Sequence, residues 1–439
     1  MKKIKVFFIP LVMMFALSFI LCSCSNDDET AYDSGKTVTL NVYNWGEYIS
    51  DGFQGSMDVN EEFQKYYFEK FGVKVKVNYT TYATNEDMYS KLKSGAGTYD
   101  IVIPSDYMIQ KMIEEDMLLA FDANTIENYE YIADDFKRNY YDIDEMYSVP
   151  YTYGMMGVIY NSELVDPEDY EKHSWDLLWN EKYKGKILQF NNPRDAFGTA
   201  MYLLNLDINS TDPEVWNEAL EKLSAQKPLV QGYVNDEIFN KMTTASAAVA
   251  PYYAGDFLTM TEQNEDLCFY YPSEGVNYFI DAMCIPKNAN NPQIAKEYIN
   301  FMLSEDVAVA NAVYIGYASP NTRVYDSKTG HINADYLDEM GEEAIEILYK
   351  TSPAEVNASY NQKHGTTCYK SFTPEIQAHV NTLWESLKTE NSTELWIHIT
   401  AGIIVSAVII IAAYTTYIKK KRSRDYRLRD KSAKTMKNN

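Results

Sequence analysis

Histidine and cysteine are scarce in this chain, at five each in 439 residues. The histidines, at positions 173, 331, 364, 379 and 398, form no metal-spaced pair, and no CxxC or Cys/His spacing accompanies them, which argues against a zinc site. A GxSxG elbow, a phosphate-binding loop and a dinucleotide fingerprint are also missing, so the usual signatures of an enzyme do not apply. No internal repeat occurs, and no low-complexity segment apart from a basic tail. Positive charge is short everywhere except at the ends. The whole chain carries −24; the tail from Lys419, with ten Lys/Arg against two acids, holds +8 and the first 23 residues +3, which leaves −35 between them. Such a surface repels nucleic acid and attracts cations, although solubility alone would also explain it. No cofactor and no metal are expected.

The two ends carry addresses. Lys2, Lys3 and Lys5 precede an apolar stretch from Val6 to Leu21, the layout of a secretory signal. Leu21-Cys22-Ser23-Cys24 follows and resembles the bacterial lipobox; Cys24, preceded by the small Ser23, is the expected lipidated residue, and Cys22 after Leu21 fits less well. Residues 1–23 then form a lipoprotein signal peptide, and the polar residues 24–36 a tether. Leu395 to Ile418 is long enough to cross a bilayer as one helix, with Trp396 and Tyr417 near its edges, and Lys419-Lys420-Lys421-Arg422 follows it. Positive-inside reasoning places 419–439 in the cytoplasm and the bulk of the chain outside the cell membrane. Of the remaining cysteines, Cys268 and Cys284 lie in strand-like runs and either pair or stay as buried thiols.

Between the ends, hydrophobic periodicity predicts strands over Thr37–Val42, Val73–Tyr79 and Tyr99–Ile103, with helices over Asp58–Phe71 and Asn85–Ser94 between them. This alternation predicts an α/β fold with a mainly parallel sheet, in which a ligand lies beyond the carboxyl ends of the strands. Trp45, Glu47 and Tyr48 fall at the end of the first strand. An extended stretch over 147–160 reads as a crossover, followed by helices over 216–224 and 236–248, strands over 267–271 and 279–285, a helix over 292–304 and a mostly helical 339–387.

Six stretches in order carry a family likeness: Asn44-Trp45-Gly46-Glu47-Tyr48; Thr81 to Leu92; Tyr99 to Tyr107; Ser148 to Gly154; Asp281 to Pro286; and Ile315 to Asn321. Over about 37–325 the chain resembles the spermidine/putrescine-binding proteins of bacterial ABC importers. The resemblance implies a two-lobe periplasmic-binding-protein fold of type II with a hinge, one lobe from 37–150 and 282–325, the other from 151–281 and 326–388. It also implies a ligand site at Trp45, Glu47, Tyr48, Ser105, Tyr107, Asp195, Tyr252, Phe279, Asp281 and Tyr317, with Asp281 ranked first among the acids. The expected partners are a polyamine, permease subunits with their separate ATPase, and the membrane through both anchors.

Those residue types suit a polyamine. Carboxylates neutralise separated ammonium groups, and aromatic faces cover the methylenes while attracting cations through the ring quadrupole. Gly46 stands where the family has a hydroxyl residue, Asn192 where some members have a second aspartate, and Tyr252 and Phe279 where it has tryptophans; one carboxylate fewer and slimmer walls weigh toward putrescine over spermidine. Plainer readings stand beside these: Trp45 and Phe279 as core aromatics, Asp195 as an ion pair with Arg194, Asp281 as a structural acid needing a cationic partner. Catalysis by two acids of the cleft is disfavoured, since the resemblance gives those positions to amine binding. The alternative function is a membrane-anchored sensor of a polyamine or other small cation, working through a partner because 21 residues after the span are too few for a signalling domain.

Overall fold

The structure, a computed structural model, describes residues 36–349 and 365–389 together with Tyr414 and Tyr417. The leader, Cys24, all of the expected span apart from those two tyrosines, and the basic tail lie outside the described residues, among which no helix is long and apolar enough to cross a membrane.

The chain opens on β1 (Val38–Trp45). Asp58 then caps α1 (Val59–Phe71) by accepting from the Glu61 N–H, and Gly72, at φ 71°, ends it in the left-handed conformation that glycine adopts without cost. β2 (Val75–Tyr82) returns, Thr84 caps α2 (Asn85–Lys93), and β3 (Ile101–Val102) leads into α3 (Asp106–Glu114). β1 lies between β2 and β3 and runs parallel to both. The loops after Trp45, Tyr82 and Val102 therefore leave the same edge of the sheet.

The stretch expected as a crossover is one strand, β4 (Ser148–Asn161), buried at all 14 positions. Asp142 anchors its entrance, its carboxylate accepting from the backbone N–H groups of Met146, Tyr147 and Ser148 and from the Ser148 hydroxyl. A second parallel set follows, β5 (Ile187–Phe190), α4 (Pro193–Leu203), α5 (Pro213–Gln226), β6 (Val230–Val234), α6 (Glu237–Thr243), β7 (Val249–Tyr253) and α7 (Ala254–Thr261). β8 (Leu267–Tyr270) and β9 (Tyr278–Cys284) come next, then α8 (Pro292–Met302) and α9 (Glu305–Ile315). Strand order is β2-β1-β3-β9-β4-β7-β5-β6, with β8 on β4. β9 pairs antiparallel with the first part of β4 and β7 with its second part, so β4 links two parallel groups, β2-β1-β3 and β7-β5-β6. Helices α10 (Ala334–Leu348) and one over 374–389 complete the described chain.

Several elements differ from expectation. The helix expected over 236–248 stops at Thr243, because Ala245 takes φ 56° and the chain turns into β7. Strands β5, β6 and β7 and helices α3, α4, α7 and α9 are not among the expected elements; β5 and the first four residues of β7 are buried, and short buried runs carry no distinguishing period, while β6 is buried only at Val234. Cys268, Cys284 and Cys368 are all free thiols. The register explains why the first two do not pair: Cys284 faces Ser148 and Cys268 faces Tyr160, positions at opposite ends of β4, roughly 40 Å apart at the usual rise of a strand.

Gly157 marks the tightest crossing on β4. A Cβ there would stand 2.4 Å from the Phe269 ring and 2.6 Å from the Tyr270 carbonyl oxygen. Gly157→Ala is expected to destabilise the protein by about 1–3 kcal/mol through overpacking; an unchanged thermal unfolding midpoint would contradict this packing.

Candidate functional site

The end of β1 is shaped by Asn44. Its side-chain oxygen accepts from the Trp45 N–H at 2.8 Å and its amide donates to the Tyr48 carbonyl at 3.2 Å, closing a tight turn in which Glu47 takes φ 49°. The turn leaves Trp45, Glu47 and Tyr48 beyond the strand's carboxyl end. The Trp45 indole N–H donates to the Ile103 carbonyl at 2.9 Å, and its ring lies 4.6 Å from that of Tyr82. The Tyr48 hydroxyl donates to Asp281 at 2.7 Å and meets the Thr152 hydroxyl at 2.5 Å. A phenol has one proton, so the order is Thr152 to Tyr48 to Asp281, with both hydroxyls oriented toward the carboxylate.

Asn85 joins the next two loops. Its amide donates to the Ser105 hydroxyl and the Tyr107 hydroxyl at 3.0 and 3.1 Å, and its oxygen accepts from the Ser105 N–H. Tyr107 in turn donates to Glu86 at 3.1 Å. On the opposite wall, Asn192 caps α4 by accepting from the Asp195 N–H at 2.8 Å and donates to the Asp195 carboxylate at 2.9 Å, which Tyr253 also reaches at 2.5 Å. This is the local reason for an asparagine at 192: an aspartate would accept at the cap but could not donate to Asp195. Arg194 is not ion-paired to Asp195; its guanidinium stacks on Tyr107, Tyr369 and Phe372 and donates to the Lys370 carbonyl. β7 delivers Tyr252 and Tyr253, and Asp256, in the first turn of α7, accepts from Tyr317 at 2.8 Å.

All ten residues expected at the site line one cavity between the two strand groups, with an empty volume of about 940 Å3 counted out to its open mouth. Sequence reasoning missed Glu86, Asp106, Asp236, Tyr253 and Asp256, which line it too, as does Tyr369, which lies near a position where the resembled family contacts its ligand. The signal existed for two of them: Asp236 and Asp256 follow the carboxyl ends of β6 and β7, as Trp45 follows β1, but those strands had not been recognised. Among the described residues no Lys, Arg or His lines the cavity, while seven carboxyl groups do.

The acids fall into two poles. One holds Asp195, Asp281, Glu86 and Asp106; the other holds Asp256, Asp236 and Glu47. Between them runs an aromatic belt, with Tyr253 against Phe279 at 5.4 Å, Phe279 against Tyr317 at 6.0 Å, and Tyr317 against Tyr48 at 5.4 Å between ring centres. Burial pushes Asp281 up to about 6, Asp195 adding to the rise and the Ser105 and Tyr48 hydroxyls opposing it. Burial likewise raises Asp256 to about 7, restrained by Tyr317 and raised further by Asp236 and Glu47. Asp106 rises to about 8 for the same first cause, held back by the Tyr107 N–H and pushed up by Asp281. Oδ1 of Asp281 is buried and makes no hydrogen bond. The cationic partner expected for Asp281 is absent among the described residues; the Tyr48 hydroxyl holds one oxygen, and the other faces a cavity without basic lining.

The profile described as bacterial extracellular solute-binding protein matches residues 61–336, more than half of the chain. The chain belongs to that family. As a solute-binding protein it binds its solute and is not an enzyme. The spermidine/putrescine-binding periplasmic protein of Escherichia coli (strain K12) is 33% identical over 284 residues, covering 64% of this chain and 78% of that one. The putrescine/cadaverine-binding protein of Pseudomonas aeruginosa is 27% identical over 292 residues, covering 64% and 79%. Among solved structures, a putative spermidine/putrescine ABC transporter protein from Listeria monocytogenes superposes with a TM-score of 0.67 at 31% identity, over 80% of this chain and 99% of that one. The substrate-binding protein of a spermidine/putrescine ABC transporter from Streptococcus pneumoniae gives 0.60 at 32% identity, over 80% and 99%. The solute-binding protein described here therefore has the α/β periplasmic-binding-protein fold.

Proposed function

We propose that this protein is the substrate-binding component of a polyamine ABC importer, taking putrescine, spermidine or a near relative into the cavity between β2-β1-β3 and β7-β5-β6. The observation that carries the reading is the pair of acidic poles held apart by an aromatic belt, with no basic side chain among the described residues lining the cavity. A flexible chain of methylenes with an ammonium at each end matches that arrangement: each pole meets a charge in a partly dry space, and the rings cover the hydrocarbon. The polyamines for which the relatives are named support the same class of solute.

Trp45, Glu47, Tyr48, Ser105, Tyr107, Asp195, Tyr252, Phe279, Asp281 and Tyr317 are the residues assigned to the ligand in this reading. The lobes are 37–150 with 282–325, and 151–281 with 326–388; β4 and β9 run between them, in keeping with a hinge of type II. The closed form is presented to a permease whose ATPase is a separate chain. A lipid on Cys24 and a helix over 395–418 would hold the lobes outside the membrane near that permease, at high effective concentration.

Calorimetric titration of the full-length chain in detergent with putrescine, cadaverine, spermidine and spermine tests the reading. Saturable binding of one polyamine per chain is expected. A folded sample that gives neither heat nor a shift in thermal unfolding with any of the four would overturn it.

A further inference from the structure

Gly46 has an ordinary backbone conformation, so its φ does not call for glycine. What does is space: a Cβ on residue 46 would stand 2.8 Å from Oδ2 of Asp236. Gly46 belongs to the turn after β1 and Asp236 caps α6 after β6, so the contact joins the two strand groups across the mouth of the cavity. The Asp236 cap makes no side-chain bond to its own helix, which leaves the carboxylate to its surroundings. Those surroundings are acidic on every side. Glu47 follows Gly46 in the left-handed conformation, Asp256 stands behind on α7, Glu237 follows Asp236, and Asp51 adds to the charge around Glu47. The Tyr317 hydroxyl donates to Asp256, the Asn235 N–H to Glu237, and the Phe53 N–H and Tyr314 hydroxyl to Asp51, but among the described residues no donor reaches the Asp236 or Glu47 carboxylates and no basic residue lines the cavity beside them. Deeper in the same cavity, Oδ1 of Asp281, 4% exposed, is unpartnered.

A ligand with two ammonium groups satisfies Asp281 at one pole and Asp256 at the other, and leaves the mouth carboxylates facing each other. A third ammonium relieves that repulsion, and a charge-assisted hydrogen bond made there adds to it. We propose that Asp236, admitted by the missing side chain of Gly46, is a specificity-determining residue that reads an additional ammonium group at the mouth and so favours a triamine over a diamine. This rests on the polyamine reading above and reverses the preference expected from the count of acids in the sequence, which lacked Asp236 and Asp256.

The test is calorimetry on the full-length chain with spermidine and putrescine, for the native protein, Asp236→Asn and Gly46→Ala. The spermidine-to-putrescine affinity ratio is expected to fall about tenfold in Asp236→Asn. Gly46→Ala, by displacing the carboxylate, should lower the ratio in the same direction, and the double variant should lose no more than Asp236→Asn alone, since both act on one contact. Asp236 is exposed and its side chain caps nothing, so both variants are expected to fold, which thermal unfolding verifies. An unchanged ratio in Asp236→Asn, or additive losses in the double variant, would overturn the assignment of Asp236 while leaving polyamine binding intact. A native protein that binds neither amine would instead remove the reading on which it rests.

Discussion

Asp281→Asn is expected to weaken polyamine binding at least a hundredfold, a loss of about 3 kcal/mol, with little change in the shape of the site. The side chain sits on β9 opposite Thr152, 4% exposed, with one oxygen taken by Tyr48 and the other unpartnered. An ammonium arriving at that second oxygen meets a charge that water barely screens, and the Thr152–Tyr48 relay leaves the carboxylate no freedom to turn away. Asparagine keeps the acceptor for Tyr48 and removes the charge. The unliganded variant should be at least as stable as the native protein, because an uncompensated buried charge has been deleted. Asp195→Asn should cost less, since Asn192 and Tyr253 already donate to that carboxylate and Arg194 stands nearby. Titration of full-length protein with spermidine and putrescine checks both; a loss below fivefold for Asp281→Asn would show that the leading ammonium binds elsewhere.

The first half of this site could be read from the chain because its signals are local. A strand that ends in Trp45, Gly46, Glu47 and Tyr48, and another that ends in Ser105 and Tyr107, lie in βαβ units whose helices carry caps at Asp58 and Thr84. The second half was less legible for a physical reason. β5 is four residues, all buried, and β7 is buried at four of its five positions, so neither shows the alternation that marks a half-exposed strand. Reading 236–248 as one helix hid both the end of β6 and the start of β7, and with them Asp236 and Asp256 as site residues. Tyr252 is the expected contact, yet both it and Tyr253 line the cavity, and it is Tyr253 whose hydroxyl reaches Asp195. Tyr369 comes from a segment distant in sequence, with its hydroxyl on the Arg194 carbonyl; the resemblance places it near a family contact position, but too loosely to assign it to the site.

Affinity should also fall steeply with acid, by up to about a thousandfold between pH 8 and pH 5. Burial raises Asp281 to about 6 and Asp256 to about 7 in the empty site. An ammonium beside each carboxylate favours its charged form and pulls these values down, so binding releases protons wherever the empty site holds them. Below its empty-site value each acid costs about tenfold in affinity per pH unit, which gives about a hundredfold at pH 5 from Asp256 and tenfold from Asp281. Asp106, raised to about 8, is mostly protonated at neutral pH and below and so adds little to the pull on a cation there. The same groups act oppositely on the empty protein. Their folded values lie above those of an unfolded aspartate, so between about pH 4 and 7 the folded chain holds protons that the unfolded chain has released, and their contribution to stability grows as the pH falls. The rise in unfolding midpoint caused by a saturating polyamine should therefore be larger at pH 7.5 than at pH 5.5. Titrations in buffers of different ionisation enthalpy would count the protons released; affinity that is flat or rising toward pH 5 would mean that Asp256 and Asp281 do not face the bound cation.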